Sequence, residues 1–462
     1  MKTSNSTIDL ARRALLRRAA LTGLAGTAAP WALNLSLMAD AAAATSTSTD
    51  YKALVCVFLY GGNDHGNTLV PVDSTNHAKY AAIRGTLATA QSALAATTLT
   101  PATPLPDGLQ LALAPQLAAL KSTWDAGKLA LQLNVGPLIV PTTVAQYNAK
   151  SVPLPAKLMS HNDQQSTWQS DLAEGATSGW GGRMGDLMLS GNGGSVFTCT
   201  SVTGNAVFLS GQTAVQYQLS SSGAVAIKGL QKALFGSSAA QEALRTLITG
   251  TQSHLFADEY NRVTRRSIDA EAQVTTALAG LPALATAFPN TSLGGQLNMV
   301  ARMIAARGSF GVKRQVFFVS LGGFDLHDNL LENHPGLLQH VADAMKAFYD
   351  ATVELGVSSQ VTSFSASDFG RTLSINGDGS DHGWGSHHLV LGGAVKGKAF
   401  YGTAPAIAVN GPDDVGQGRL LPTTAVDQFG ATLASWFGVP DSDLATVVPN
   451  IGNFSKRNMG FV

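Results

Sequence analysis

Charge and cysteine are both scarce in this chain. Lys, Arg, Asp and Glu make up 13% of its 462 residues, about half the usual share of roughly 25%. The formal balance is zero, 30 basic against 30 acidic residues, so the overall charge invites neither nucleic acid nor an anionic membrane as partner. With two cysteines, Cys56 and Cys199, the chain has no disulfide framework and no Cys₄ zinc site. There is no Gly-x-Ser-x-Gly elbow, which argues against a serine hydrolase. No repeat of fixed period and no heptad pattern is present. What is abundant is Gly, at 48 residues, together with Ser, Thr and Ala. That balance suits a loop-rich exported protein, and 462 residues suffice for one large α/β domain with insertions, or two domains.

The first 44 residues differ from the rest. Arg12-Arg13-Ala14-Leu15-Leu16-Arg17 leads into a mild apolar run over 19–38, and small residues cluster at 39–44. This is the order of a signal peptide, and the paired arginines resemble a twin-arginine export signal. Gly23, Gly26, Pro30 and Asn34 interrupt the run, so it falls short of the ~20 apolar residues of a membrane span. Cleavage near 41–44 leaves 45–462 as the mature domain, with 25 basic and 28 acidic residues and no stable membrane span. The expected location is periplasmic or secreted, with the twin-arginine machinery as a partner.

Apolar runs at 54–60, 129–135, 316–321, 361–366 and 389–395 read as buried strands, and 111–120, 158–171, 179–187 and 337–355 read as helices. Residues 190–252 look irregular and 253–310 largely helical, so 190–310 reads as an insertion or subdomain between two halves of a sheet. Strand–helix–strand order in the C-terminal half implies a parallel crossover.

Three of the strands run out at aspartates: Gly61-Gly62-Asn63-Asp64-His65, Gly322-Gly323-Phe324-Asp325-Leu326-His327 and Ser367-Asp368-Phe369-Gly370-Arg371. In open α/β sheets the carboxyl ends of the strands form the ligand crevice. A glycine-rich loop adds Asp381-His382-Gly383-Trp384-Gly385-Ser386-His387-His388. Carboxylates suit hard divalent ions, and zinc and manganese also accept imidazole. Each strand-end aspartate is as readily a helix N-cap or Asx turn, and Arg371 is as readily an ion-pair partner as a holder of substrate oxygens. It is the joint pattern that points to a metal or acid–base site.

These motifs, with Ser160-His161, Trp168 and Gly179-Trp180-x-Gly182-Arg183, resemble the bacterial family known as domain of unknown function 1501 over nearly the whole mature chain. The resemblance implies an alkaline phosphatase/sulfatase-like fold: a three-layer α/β sandwich with a mostly parallel central sheet flanked by helices. It also implies one or two divalent ions (Zn, Mn, Ca or Mg). Asp64, Asp325, His327, Asp368 and either His382 or His387 would be ligands. Ser160 would be the nucleophile, with Ser166 and Thr167 as weaker candidates, and Asn63, Asn67 and Arg371 would hold substrate oxygens. Phe369 stands where that superfamily usually has a histidine. The expected activity is metal-dependent hydrolysis of phosphate or sulfate esters, on a small molecule or a polymer. The alternative is a non-catalytic envelope or secretion-associated protein that keeps the fold.

Overall fold

The computed structural model describes residues 50–462. The expected signal segment, and residues 45–49 after it, lie outside the described residues. A ten-stranded mixed sheet forms the frame. Its strands in chain order are β1 (Lys52–Leu59), β2 (Leu129–Gly136), β3 (Cys199–Ser201), β4 (Tyr217–Ser220), β5 (Gly223–Ala224), β6 (Arg314–Leu321), β7 (Val361–Ser367), β8 (Ser386–Gly392), β9 (Ala399–Tyr401) and β10 (Thr424–Ala425). Across the sheet they run β9-β2-β8-β7-β1-β6-β3-β4-β5, with β10 beside the end of β2. Most pairings are parallel, including β1 with β6 and β1 with β7.

β1 is apolar without alternation because helices cover both faces of the sheet. Val55 and Val57 face α6 (Ser292–Ala305) and α7 (Leu330–Glu354), packing with Leu297, Val300, Leu338 and Met345. Leu54, Cys56 and Phe58 face the other way, towards Trp180 and Met184 of α3 (Trp180–Met188) and Phe429 and Leu433 of α8 (Val426–Phe437). The remaining helices used below are α1 (Ser74–Arg84), α2 (His161–Ser170), α4 (Ser238–Thr249) and α5 (Leu255–Ala279). Cys56 and Cys199 are both buried free thiols.

Four details differ from the sequence-based expectation. Residues 111–120 are not one helix. Leu111–Leu113 pairs with Leu69–Pro71 as a small antiparallel ribbon, and Pro115–Leu120 is a 3₁₀ segment, since a residue before proline avoids the helical region. β8 starts three residues earlier than expected and runs antiparallel to both β7 and β2. The 190–310 segment is not wholly outside the sheet, because β3 pairs with β6. Within its supposedly irregular part lies the regular helix α4.

Candidate metal centre

Because β1, β6 and β7 are parallel neighbours, their carboxyl ends share one edge. β8 runs the other way, so the loop leading into it arrives at that same edge. The turn after β1 allows the closest approach. Gly61 has φ +116°, and a Cβ there would sit 2.3 Å from the Asp325 amide nitrogen. Gly62 has φ +83°, and its Cβ would sit 2.4 Å from the Phe369 ring. Only glycine tolerates both the backbone conformation and the contact.

Three imidazoles and a carboxylate converge here. Nε2 of His161, the first residue of α2, lies 3.1 Å from Nε2 of His382, and Nε2 of His327 lies 2.9 Å from that same atom. Asp325 Oδ1 is 3.1 Å from His327 Nε2 and 3.2 Å from His382 Nε2, and Asp325 Oδ2 is 3.2 Å from His161 Nε2. The opposite nitrogen of each ring meets an oxygen that accepts. His161 Nδ1 is 2.7 Å from Asp368 Oδ2, His327 Nδ1 is 3.2 Å from Asp381 Oδ1, and His382 Nδ1 is 2.8 Å from the Met159 carbonyl. With the ring protons on Nδ1, the three Nε2 lone pairs point into one space.

Bare nitrogens that close repel unless a cation lies between them. A proton can bridge one pair, whereas three nitrogens and a carboxylate around one point suit a metal ion. A tetrahedral zinc site would set its nitrogens about 3.3 Å apart, close to the 3.1 Å between His161 and His382 and the 2.9 Å between His327 and His382. His161, Asp325 and His382 have ligand atoms that all lie close to one another, and His327 adjoins this group through His382 and Asp325. The four side chains are 26% to 44% exposed, so the centre opens to solvent.

The surroundings tune these groups. The hydrogen bond to Asp368 raises the His161 pKa against the effect of burial, and the Asp325 charge adds to the rise. Burial pushes the Asp325 carboxyl up, but the hydrogen bond and charge of Arg371 outweigh it and hold the group below its ordinary value. Burial lowers His382, with the neighbouring His161 and Arg371 acting in the same direction. Phe369 lies against His161 and His382, with ring centroids 4.8 and 4.7 Å away, and forms an apolar floor.

Of the residues picked out in the sequence, Asp325, His327 and His382 come together. Asp368 joins them at one remove, through His161. Its buried Oδ2 also accepts from Gln165 Nε2 at 2.7 Å and from the Gly61 amide at 3.2 Å.

Asp64 does not reach the cluster, and its expected place among the ligands is corrected. It forms a buried ion pair with Arg84 at the end of α1, and its Oδ1 accepts from the Gly66 and Asn67 amides. His387 is corrected likewise. Its Nδ1 accepts from the Asn134 amide at 3.0 Å, and its ring faces His65 beside a small apolar cavity of about 40 Å³. Ser160 precedes α2, but its hydroxyl donates to Asp163 Oδ2 at 2.9 Å. Arg371 is buried and committed to Asp325 (2.6 Å), the Gly61 carbonyl (3.1 Å) and the Ser380 carbonyl.

His161, Gln165 and Asp381 were not among the expected site residues. His161 stands next to Ser160 in the motif, and Gln165 follows it by four, on the same helical face. Asp381 opens the histidine loop.

The fold and the site define an α/β protein with a mostly parallel sheet and a histidine–aspartate cluster at the carboxyl edge of its central strands. The family model described as "Protein of unknown function (DUF1501)" matches residues 51–446, and the chain belongs to that family. None of the curated proteins matches it. Among solved structures, the chain is similar to the crystal structure of Ps i-CgsB in complex with k-i-k-neocarrahexaose, with a TM-score of 0.34 and 9% identity. That similarity covers 86% of this chain and 74% of the other.

Proposed function

We propose that the chain is an exported metal-dependent hydrolase of phosphate or sulfate esters with an alkaline phosphatase-like fold, carried across the membrane by the twin-arginine machinery. The observation that supports it best is the convergence of three imidazole Nε2 atoms and Asp325 while each Nδ1 is held by its own acceptor. Three nitrogens and one carboxylate favour zinc or manganese over calcium or magnesium. A bound divalent ion would supply Lewis acidity at the open edge, which is what hydrolysis of a charged ester requires.

In this reading His161, His327, His382 and Asp325 hold the ion. Asp368 and Asp381 orient two of the imidazoles, and Arg371 fixes Asp325 rather than the substrate. One ion fits better than two, since Asp64 is paired with Arg84 and Phe369 takes the place of the further histidine.

The non-catalytic alternative is favoured by one observation: the two groups expected to do chemistry, Ser160 and Arg371, have other partners. Metal analysis of the folded protein, then turnover of aryl phosphates, phosphodiesters and aryl sulfates, separates the two. We expect one ion per chain, with metal and turnover both lost in Asp325→Ala and His382→Ala. A protein that binds no ion and turns over none of the esters overturns the enzyme reading.

A further inference from the structure

Asparagine followed by glycine occurs three times in the chain, at 192–193, 376–377 and 410–411. Such a pair carries its own chemistry. Glycine has no Cβ to keep its backbone nitrogen away from the asparagine side chain, so that nitrogen can attack the side-chain carbonyl carbon. A five-membered succinimide forms and ammonia leaves. Water then opens the ring at either carbonyl, giving aspartate or isoaspartate.

The three pairs are held differently. Asn192 is 3% exposed and bonded at both ends of its amide. Its Oδ1 accepts from the Lys313 and Arg314 amides, and its Nδ2 donates to Thr198 Oγ1 and the Arg314 carbonyl. The Gly193 amide is taken up by the Ser190 carbonyl. Neither reacting atom is free to move. Asn376 and Asn410 both stand in solvent, and the glycine amide after each has no partner among the described residues.

Of these two, Asn376 touches the metal centre. Its Nδ2 donates to Asp381 Oδ1 at 2.7 Å, the same oxygen that faces His327 Nδ1 at 3.2 Å. The Asn376 amide donates to the Gly379 carbonyl at 3.1 Å, closing a turn in which Gly377 has φ +111°. That turn rests on the main chain of His327 and the residues after it. A Cβ on Gly379 would sit 2.1 Å from the His327 carbonyl oxygen. The Leu330 amide donates to the Asp378 carbonyl at 3.0 Å, and the Asn329 amide donates to Asp378 Oδ2 at 3.0 Å.

We propose that Asn376 is a self-modification site, and that its conversion to aspartate or isoaspartate releases His327 from the orientation the centre needs. Both products exchange a donating amide for a carboxylate, so two negative charges stand where a donor met an acceptor. Asp381 must turn away, and His327 Nδ1 loses the oxygen that holds its proton. Isoaspartate also routes the main chain through the former side chain, lengthening the turn by one atom against the His327 backbone. The modification needs only this chain and water, whereas its effect on metal rests on the proposed metal centre.

Storage of the folded protein in mildly alkaline buffer at physiological temperature, followed by proteolysis and mass spectrometry, reads the modification. The peptide holding Asn376 should gain one mass unit and become a substrate for isoaspartyl methyltransferase, while the peptide holding Asn192 should not change. Zinc affinity should fall by about tenfold or more in the converted protein, and Asn376→Asp should bind as weakly from the outset. Asn376→Gln keeps an amide and closes the ring far more slowly, so its affinity should survive the same storage even as Asn410 converts. Nitrogen–proton correlation spectra, which need no metal, should show the His327 proton leaving Nδ1 in Asn376→Asp, with an unchanged circular dichroism spectrum. A peptide at 376 that stays unmodified overturns the proposal, as does an Asn376→Asp protein that binds zinc like the parent. A parent that takes up no zinc overturns the metal centre instead, and a His327 that keeps its Nδ1 proton in Asn376→Asp then overturns the coupling.

Discussion

Replacing Asp368 by Asn should weaken metal binding without dismantling the fold. Oδ2 of this fully buried carboxylate receives three donors: His161 Nδ1 at 2.7 Å, Gln165 Nε2 at 2.7 Å and the Gly61 amide at 3.2 Å. All three demand an oxygen, so the introduced carboxamide must place its carbonyl there and turn its NH₂ into the space of Oδ1, which has no partner. Geometry is then kept, but the negative charge that makes the His161 ring a better electron donor is gone. Removing such a carboxylate behind a ligating histidine lowers metal affinity by roughly ten- to a hundredfold, or about 1.4–2.8 kcal/mol. Zinc titration in competition with a chromophoric chelator measures the affinity, and nitrogen–proton correlation spectra report which His161 nitrogen carries the proton. Unchanged affinity in Asp368→Asn would refute the orienting role. A parent protein that takes up no zinc or manganese would refute the metal centre itself.

Ser160→Ala should leave metal content unchanged and retain turnover, because the hydroxyl faces Asp163; turnover lost with metal retained would make Ser160 the nucleophile after all. Gly62→Ala should destabilise the chain by on the order of 3 kcal/mol, since the new methyl meets the Phe369 ring at positive φ. Denaturant midpoints measure this, and metal affinity should fall with them as the floor under His161 and His382 shifts. Arg371→Met should cost on the order of 2 kcal/mol, chiefly by leaving the Gly61 and Ser380 carbonyls without their donor, since Asp325 is 44% exposed and keeps its histidine neighbours, also read from denaturant midpoints. Burial lowers His65 and His334 to about 4 and His388 to about 3. The unfolded chain therefore binds more protons as pH falls below ~6.5, and stability present above that pH is lost towards pH 4, on the order of 2 kcal/mol per histidine. Urea midpoints that stay flat between pH 7 and 5 would contradict this.

The sheet was readable because its strands are buried on both faces, so 53–59 is apolar without interruption and 316–321 and 361–366 carry no charged residue, their polar positions being small hydroxyl side chains. The strand-end aspartates were readable for the same reason, as abrupt polar stops. What each aspartate does was not. Asp64 and Asp325 stand in similar Gly-Gly contexts, but an arginine twenty residues on, at the end of α1, captures the first, and that meeting exists only in three dimensions. His387 looked as eligible as His382 until β8 proved to begin at Ser386, which draws His387 into strand pairing distance of Asn134 and leaves His382 on the loop. His161 belongs to the Ser160-His161 motif, but nothing in the local sequence separates a ligating imidazole from one that merely adjoins a candidate nucleophile. The direction of β8 had no local signal, since an antiparallel strand buried on both faces has the same composition as a parallel one.

The donors of the centre come from residues 161, 325, 327 and 382, anchored by 368 and 381, so widely separated stretches must all be in place before it exists. A chain still emerging from the ribosome, or clipped anywhere between α2 and β8, lacks part of the coordination sphere. Ion uptake by this protein would thus serve as a read-out of completed assembly, absent from every partly folded intermediate in which one of those loops has yet to arrive.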